Sequence, residues 1–232
     1  MNTFTHDGIT LLHGDCMEYM AGLENGAYSL CVVDPPYGIG EDGGDKMRGR
    51  KADNHRKVVN HKKKGWDKRP PSAYWELIGR VSINQVVWGG NYFTDFLPPK
   101  MGWVFWNKLI GGDFSDGELA WTSFDRALRM FTYSYHGDTR GGHDRIHPTQ
   151  KPIPLYRFIL QNYAKPGDTI LDTHLGSGSS AIAAWEMGYT FTGIEIDADY
   201  YHAAVERFKK RISQPYIPGI VTPVKVEQVK LI

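Results

Sequence analysis

The sequence predicts an α/β fold on a mostly parallel sheet, and three observations carry that prediction. Apolar strand-like runs alternate with helical patterns along most of the chain. The run Leu30-Cys31-Val32-Val33 stops abruptly in Asp34-Pro35-Pro36-Tyr37, and open α/β sheets hold their ligands at the carboxyl ends of strands. Further on, the strand Thr169–Leu171, a Gly-rich turn, the helix Ser180–Met187 and the strand Phe191–Ile194 make a nucleotide-type βαβ unit.

Taken in order, Ile9–Leu12 reads as a short strand and Met17–Leu23 as an amphipathic stretch after Gly14-Asp15. Tyr28–Val33 is the strand that feeds the Pro-Pro turn. From Gly38 to Pro71 apolar residues almost vanish, and a structureless block of that length is either functional or disordered. Trp75–Val81 reads as helix, Ile83–Trp88 and Trp103–Trp106 as strands, and the second half of Leu119–Tyr135 as strand. Asp138–Gly142 is a further loop. Pro152 and Pro154 open a helix whose stripe is Leu155, Phe158, Ile159 and Tyr163. Beyond Ser213 the tail carries three prolines and then alternates Val224 and Val226, which suits an edge strand or a subunit contact.

Composition bounds the function class. The 232 residues are enough for one large domain with a real core, and 41% hydrophobic with 23% charged residues is ordinary for a globular protein. A net charge of +1 excludes a globally basic protein, so nucleic-acid contacts require local clustering. Cys16 and Cys31 lie in apolar surroundings without metal-type spacing and read as reduced thiols of an intracellular protein. There is no secretory pattern at the N-terminus, no apolar stretch near the roughly 20 residues of a membrane span, and no metal-ligand set among the nine histidines.

The chemistry lies in two segments. Each proline of Asp34-Pro35-Pro36-Tyr37 fixes its own φ and lacks an N–H, so the segment offers acceptors on a stiff frame beside a flat ring. That suits a planar substrate carrying an amino group; a turn after a buried strand is the plain alternative. In Asp172-Thr173-His174-Leu175-Gly176-Ser177-Gly178-Ser179, the glycines let backbone approach a ligand, and the helix start favours a carboxylate or phosphate. Glu195 follows Gly176 by 19 residues, where a carboxylate accepts from both hydroxyls of a ribose. Ala181 stands where a dinucleotide fingerprint has its third glycine, so the ligand need not be a dinucleotide.

Together these two motifs resemble the catalytic and cofactor motifs of the amino-group DNA methyltransferases, which methylate adenine N6 or cytosine N4 with S-adenosylmethionine. The catalytic motif precedes the cofactor motif, as in the permuted β-type order of that family. His147-Pro148-Thr149-Gln150-Lys151-Pro152 is similar to the linking motif that touches the methionine end of the cofactor, and Gly14-Asp15 is similar to the element that reads its adenine amino group. The resemblance implies a Rossmann-like methyltransferase fold with a mostly parallel seven-stranded sheet and helices on both faces. It implies Asp34, Pro35, Pro36 and Tyr37 as catalytic residues. The cofactor residues it implies are Asp15, Cys16, Asp34, Thr149, Lys151, Asp172, His174, Leu175, Gly176, Ser177, Gly178, Ser179, Glu195 and Ile196. It also implies double-stranded DNA as partner, a homodimer, and a bacterial or phage-encoded protein of the cytoplasm. Thr173-His174 stands where the family has Pro-Phe, and His174 reads more simply as a wall residue than as a base.

The implied chemistry is attack by an exocyclic amine on the sulfonium methyl. Asp34 and the Pro35 carbonyl accept its two N–H groups, the carboxylate stabilises the developing charge, and Tyr37 stacks on the base. A base inside a duplex must first be flipped out, at a cost of a few kcal/mol. Residues 38–71 are expected to form a mobile basic loop that tracks phosphates through Lys46, Arg48, Arg50, Lys51, Lys62, Lys63 and Lys64, a solvated charged face being the alternative. Residues 108–146, with Arg126, Arg129 and Arg140, are the candidate target-recognition insert within a single domain spanning 1–232. Asp at position 34 leans toward adenine; cytosine N4, and a silent cofactor- or DNA-binding module, stay open.

Overall fold

The structure is a computed structural model that describes residues 2–40, 65–110, 115–134 and 145–214. Its strands are β1 (Asn2–His6), β2 (Ile9–His13), β3 (Tyr28–Val33), β4 (Ser82–Trp88), β5 (Trp103–Asn107), β6 (Gly117–Thr122), β7 (Arg129–Thr132), β8 (Thr169–Asp172) and β9 (Thr190–Glu195). They form one sheet in the order β1-β2-β9-β8-β3-β4-β6-β5-β7. Every strand shares one direction except β1 and β6.

The seven strand segments expected from the sequence are all strands, and the sheet has nine because β1 and β6 join it. Asp7-Gly8 turns β1 back onto β2 with φ of 42° and 79°, the positive values that a two-residue hairpin turn requires. β6 fits antiparallel between β4 and β5. The block 108–146, expected as an insert, thus supplies β6 and β7 to the sheet itself.

Helices cover both faces. β3 is central and buried on both sides: Leu30 and Val32 join one core, Cys31 and Val33 the other, as a doubly covered parallel strand requires. The first core is closed by α3 (Ile153–Tyr163), α4 (Ser179–Glu186) and α5 (Ala198–Ile212) through Leu155, Phe158, Ile182 and Phe208. The second is closed by α1 (Cys16–Ala21) and α2 (Ser72–Val81) through Met20, Tyr74 and Ile78. Each fully buried large side chain contributes about 1.5–3 kcal/mol. α5 goes beyond the sequence reading; Asp197 caps it by accepting from the Asp199 and Tyr200 amides at 3.0 and 3.1 Å.

This topology gathers the ends of β2, β3, β4, β8 and β9 at one edge. Because β6 runs the other way, its first residues reach that same edge. No helix among the described residues is long and apolar enough to cross a membrane.

Candidate active site

A cavity of about 990 Å³ opens at this edge. It brings together Asp34, Pro35, Pro36 and Tyr37 with Cys16, Thr149, Lys151, His174, Leu175, Gly176, Ser177, Glu195 and Ile196. That volume is in the upper range for ligand sites. The motifs are separated in sequence and meet because their strands run parallel and stop in register.

At one end of the cavity, Asp34 leaves β3 with its side chain only 15% exposed. Its Oδ1 accepts from the Tyr37 hydroxyl at 2.7 Å, and its Oδ2 accepts from the Lys151 ammonium at 2.5 Å. The Tyr37 ring lies against Gly89, where a Cβ would come within 2.2 Å of it. Gly89 also has φ of 66°, so glycine is demanded on two counts. Tyr37 stacks on Tyr92 with centroids 4.9 Å apart. The flat surface beside Asp34 is therefore a two-ring stack, and Tyr92 is its more exposed member.

Two charged residues that the sequence reading passed over complete this end. Glu118, on β6, lies 3.1 Å from the Lys151 ammonium through Oε2 and 2.6 Å from the Lys108 ammonium through Oε1. Burial raises the Asp34 carboxyl above its ordinary range, with Lys151 opposing the shift. Burial acts on Glu118 too, but Lys151 and Lys108 outweigh it and hold that carboxyl low. For Lys151, burial favours the neutral form and the two carboxylates more than offset it, so the amine stays charged. Two carboxylates and two ammoniums balance at this end.

The other end is built from backbone. Gly176, at φ 51°, donates its N–H to Glu195 Oε2 at 2.8 Å, and Glu195 Oε1 accepts from the Asp197 amide at 2.9 Å. Glu195 lines the cavity with lone pairs to spare. Burial raises its carboxyl above the ordinary range. His174 is pushed down to about 4 by burial, which makes it a neutral ring at physiological pH. It is held through the chain Tyr74 hydroxyl, Thr173 hydroxyl and His174 Nδ1, at 2.7 and 2.9 Å. His147 packs between Trp66 and Tyr200, and its Nδ1 lies 3.1 Å from the Thr149 hydroxyl.

Several expected contact residues act from behind the wall. Asp172 does not line the cavity: its oxygens accept from the His174 amide at 3.0 Å and the Ser180 hydroxyl at 2.6 Å, which shapes the turn. Burial pushes its carboxyl up to about 7. Gly178, at φ 72°, starts α4. Ser179 donates to the Lys151 carbonyl at 2.7 Å, tying the Gly-rich turn to the segment that carries Lys151. Asp15 is also off the cavity wall and caps α1 through the Met17 amide at 2.7 Å. Cys16 does line it, with a thiol pushed up to about 12 by burial, so it packs rather than reacts.

The basic residues divide. Lys46, Arg48, Arg50, Lys51, Lys62, Lys63, Lys64 and Arg140 lie outside the described residues, as does the tail beyond residue 214. Arg126 is described and does not join the site. It follows β6 at the opposite edge of the sheet, donates to the Asn162 carbonyl and lies over the Phe124 and Tyr163 rings. The antiparallel direction of β6 is what carries it away, and Arg129, at the start of β7, is at that far edge too. Among the described residues no group of three or more His, Cys, Asp or Glu side chains is placed to hold a metal ion.

Known proteins resemble this chain in sequence and in fold. A family model described as DNA methylase, covering N6 and N4 enzymes, matches residues 47–206. YubD of Escherichia coli (strain K12), named as a methylase, is 25% identical over 212 residues, covering 84% of this chain and 88% of that protein. TTHA0409 of Thermus thermophilus, solved with S-adenosyl-L-methionine, is similar with a TM-score of 0.56 and 15% identity over 88% of this chain and 96% of that one. The PvuII cytosine-N4-specific DNA methyltransferase has a TM-score of 0.57 at 13% identity, covering 93% and 92%. The solved structures show the shared fold.

Proposed function

The chain belongs to the N6/N4 DNA methylase family, and from that membership we propose that it transfers the methyl group of S-adenosylmethionine to adenine N6 of a base flipped out of duplex DNA. The observation that carries this reading is the single cavity in which the Asp34–Tyr37 tetrapeptide faces the Gly176–Glu195 turn. A donor and an acceptor bound there meet without crossing solvent.

The residues present fit the cofactor. Glu195, 8% exposed and lining the cavity, has free lone pairs for a ribose diol. The neutral His174, Leu175 and Gly176 supply a wall without a net charge. Thr149, Ser177 and Ile196 line the same end. When bound, the sulfonium supplies an electrophilic methyl group for in-line displacement. Asp34 accepts one N–H of the target amine and the Pro35 carbonyl accepts the other, drawing the nitrogen toward tetrahedral geometry. The ionised Asp34 then faces the positive charge that develops on that nitrogen. The Tyr37–Tyr92 stack holds the base, and such stacking returns about 1–3 kcal/mol of the flipping cost. The basic residues between 46 and 64 supply the phosphate contacts in this reading.

Asp at position 34 supports adenine. Cytosine N4 is the second reading, favoured by the likeness to the PvuII enzyme and by a cradle that any exocyclic aromatic amine satisfies. Sequencing DNA from cells that express the protein, with detection of modified bases, tests both. Methyladenine at one recurring site is expected, and methylcytosine alone would replace adenine with the second reading. A silent binding module predicts no modified base and no effect of Asp34→Ala.

A further inference from the structure

The ammonium of Lys151 stands beside the carboxylate that the target amine has to reach. It lies 2.5 Å from Asp34 Oδ2, 3.3 Å from the Tyr37 hydroxyl and 3.1 Å from Glu118 Oε2. Its side chain is 4% exposed, and the Trp88 and Tyr37 rings lie 5.4 and 5.8 Å from the charge. An ammonium carries three donors. One is aligned on Asp34 and a second on Tyr37. The contact with Glu118 Oε2, at 3.1 Å, is an ion pair that also carries hydrogen-bond character, though less well aligned than the contact with Asp34. Glu118 thus balances the charge of Lys151. The protons facing Glu118 at 3.1 Å and Tyr37 at 3.3 Å are held less closely than the one on Asp34 at 2.5 Å, so one of them can turn to a base.

An adenine or cytosine amine is joined through one carbon to a ring nitrogen with a free lone pair. That edge presents a donor beside an acceptor. Asp34 Oδ2 beside Lys151 Nζ presents the complement, an acceptor beside a donor, 2.5 Å apart. This is a short spacing, like that of two nitrogens joined through one carbon.

We propose that Lys151 reads the target base, donating to the ring nitrogen next to the amino-bearing carbon while Asp34 accepts from the amine. The assignment rests on the methyl-transfer reading above and gives Lys151 a role toward the base rather than toward the cofactor. Guanine O6 and thymine O4 each lie beside a ring N–H, the reverse pattern. They would set carbonyl against carboxylate and N–H against ammonium, so the same pair rejects them. Glu118 is a positioning residue that holds the ammonium, and Lys108 balances Glu118 in turn.

The test uses the full chain and oligonucleotides carrying its own methylated site. The target base is compared with its deaza analogue, in which that ring nitrogen is a C–H and the amine is kept. Wild-type kcat/KM is expected to fall about 10- to 100-fold, as for loss of a charge-assisted hydrogen bond. In Lys151→Met, already slower, the same change of base costs less than about twofold. An unchanged wild-type rate overturns the proposal, and so does an equal loss in wild type and variant. Should Lys151→Met fail to melt cooperatively or bind cofactor, Lys151→Leu, which also lacks a donor, takes its place in the same comparison. Wild-type inactivity on unmodified DNA removes the methyl-transfer reading itself, and Lys151 as a base reader with it. Loss of the ring-nitrogen effect alone removes only the proposal.

Discussion

The two ends of the cavity are built in opposite ways. The β8–α4–β9 end is made of neighbours: Asp172 bonds the amide two residues on, Glu195 does the same, and Gly176 bonds Glu195 across one βαβ unit. The Asp34 end is made of strangers, since Lys151 comes from 117 residues away and Glu118 from an antiparallel strand two places along the sheet. Backbone amides and neutral side chains dominate the first, side-chain charges the second. A ligand with fixed shape suits backbone contacts, whereas an amine that gains charge during reaction suits charges that the fold holds in place.

Asp34→Ala probes that contrast hardest. A fall in kcat of about 10²–10³-fold or more is expected, with cofactor affinity within about threefold of wild type, because the carboxylate acts on developing charge. Equilibrium binding of cofactor beside single-turnover rates checks it, and a parallel loss of affinity would dissolve the division between the two ends. Glu195→Gln attacks the other side. Weakening of cofactor binding by about tenfold or more is expected, from one charged acceptor lost to the ribose, with a much smaller change in kcat at saturation.

A subtler test is the acid limb of the pH–rate profile. Burial sets the Asp34 carboxyl above its ordinary range and Glu118 adds to that rise. Activity that needs ionised Asp34 is present above its folded pKa and is lost as pH falls through it. Glu118→Gln removes a like charge, so the limb is expected to move to lower pH, while kcat/KM at neutral pH falls about tenfold as Lys151 is released from its second partner. A limb that stays in place would mean that Glu118 does not act on Asp34. The smallest effect belongs to the far edge of the sheet. Arg126→Ala is expected to change DNA affinity less than about twofold and to lower stability by about 0.5–1 kcal/mol through its ring contacts. A large loss of DNA binding in a gel-shift or fluorescence titration would place DNA on an edge that Asp34 and Lys151 do not occupy.

Legibility followed the same division. The strand that runs into Pro35-Pro36 and the turn from Asp172 to Ser179 are contiguous, so their chemistry and spacing are visible along the chain. Two missed elements also carried local signals: Asp7-Gly8 marks the hairpin to β1, and Asp197 followed by Tyr200, Tyr201, Ala204, Val205 and Phe208 marks α5. Glu118 carried none. It reads as a polar residue at the start of a strand, and only the reversed direction of β6 brings it to the edge that carries Asp34. Arg126 shows the same geometry from the other end, a basic residue near the site in sequence that β6 carries away.

By itself, the sequence determined the sheet's character, the order of its motifs, and a carboxylate on a Pro-Pro frame that precedes a Gly-rich turn. These depend on local periodicity, proline and glycine, which act over a few residues. The tertiary structure alone decided that Lys151 points at Asp34, that Glu118 and Lys108 balance the charge, and that Asp15 and Asp172 support from behind the wall. Such placements depend on strand order and direction, and on which buried charges must find partners once water is gone.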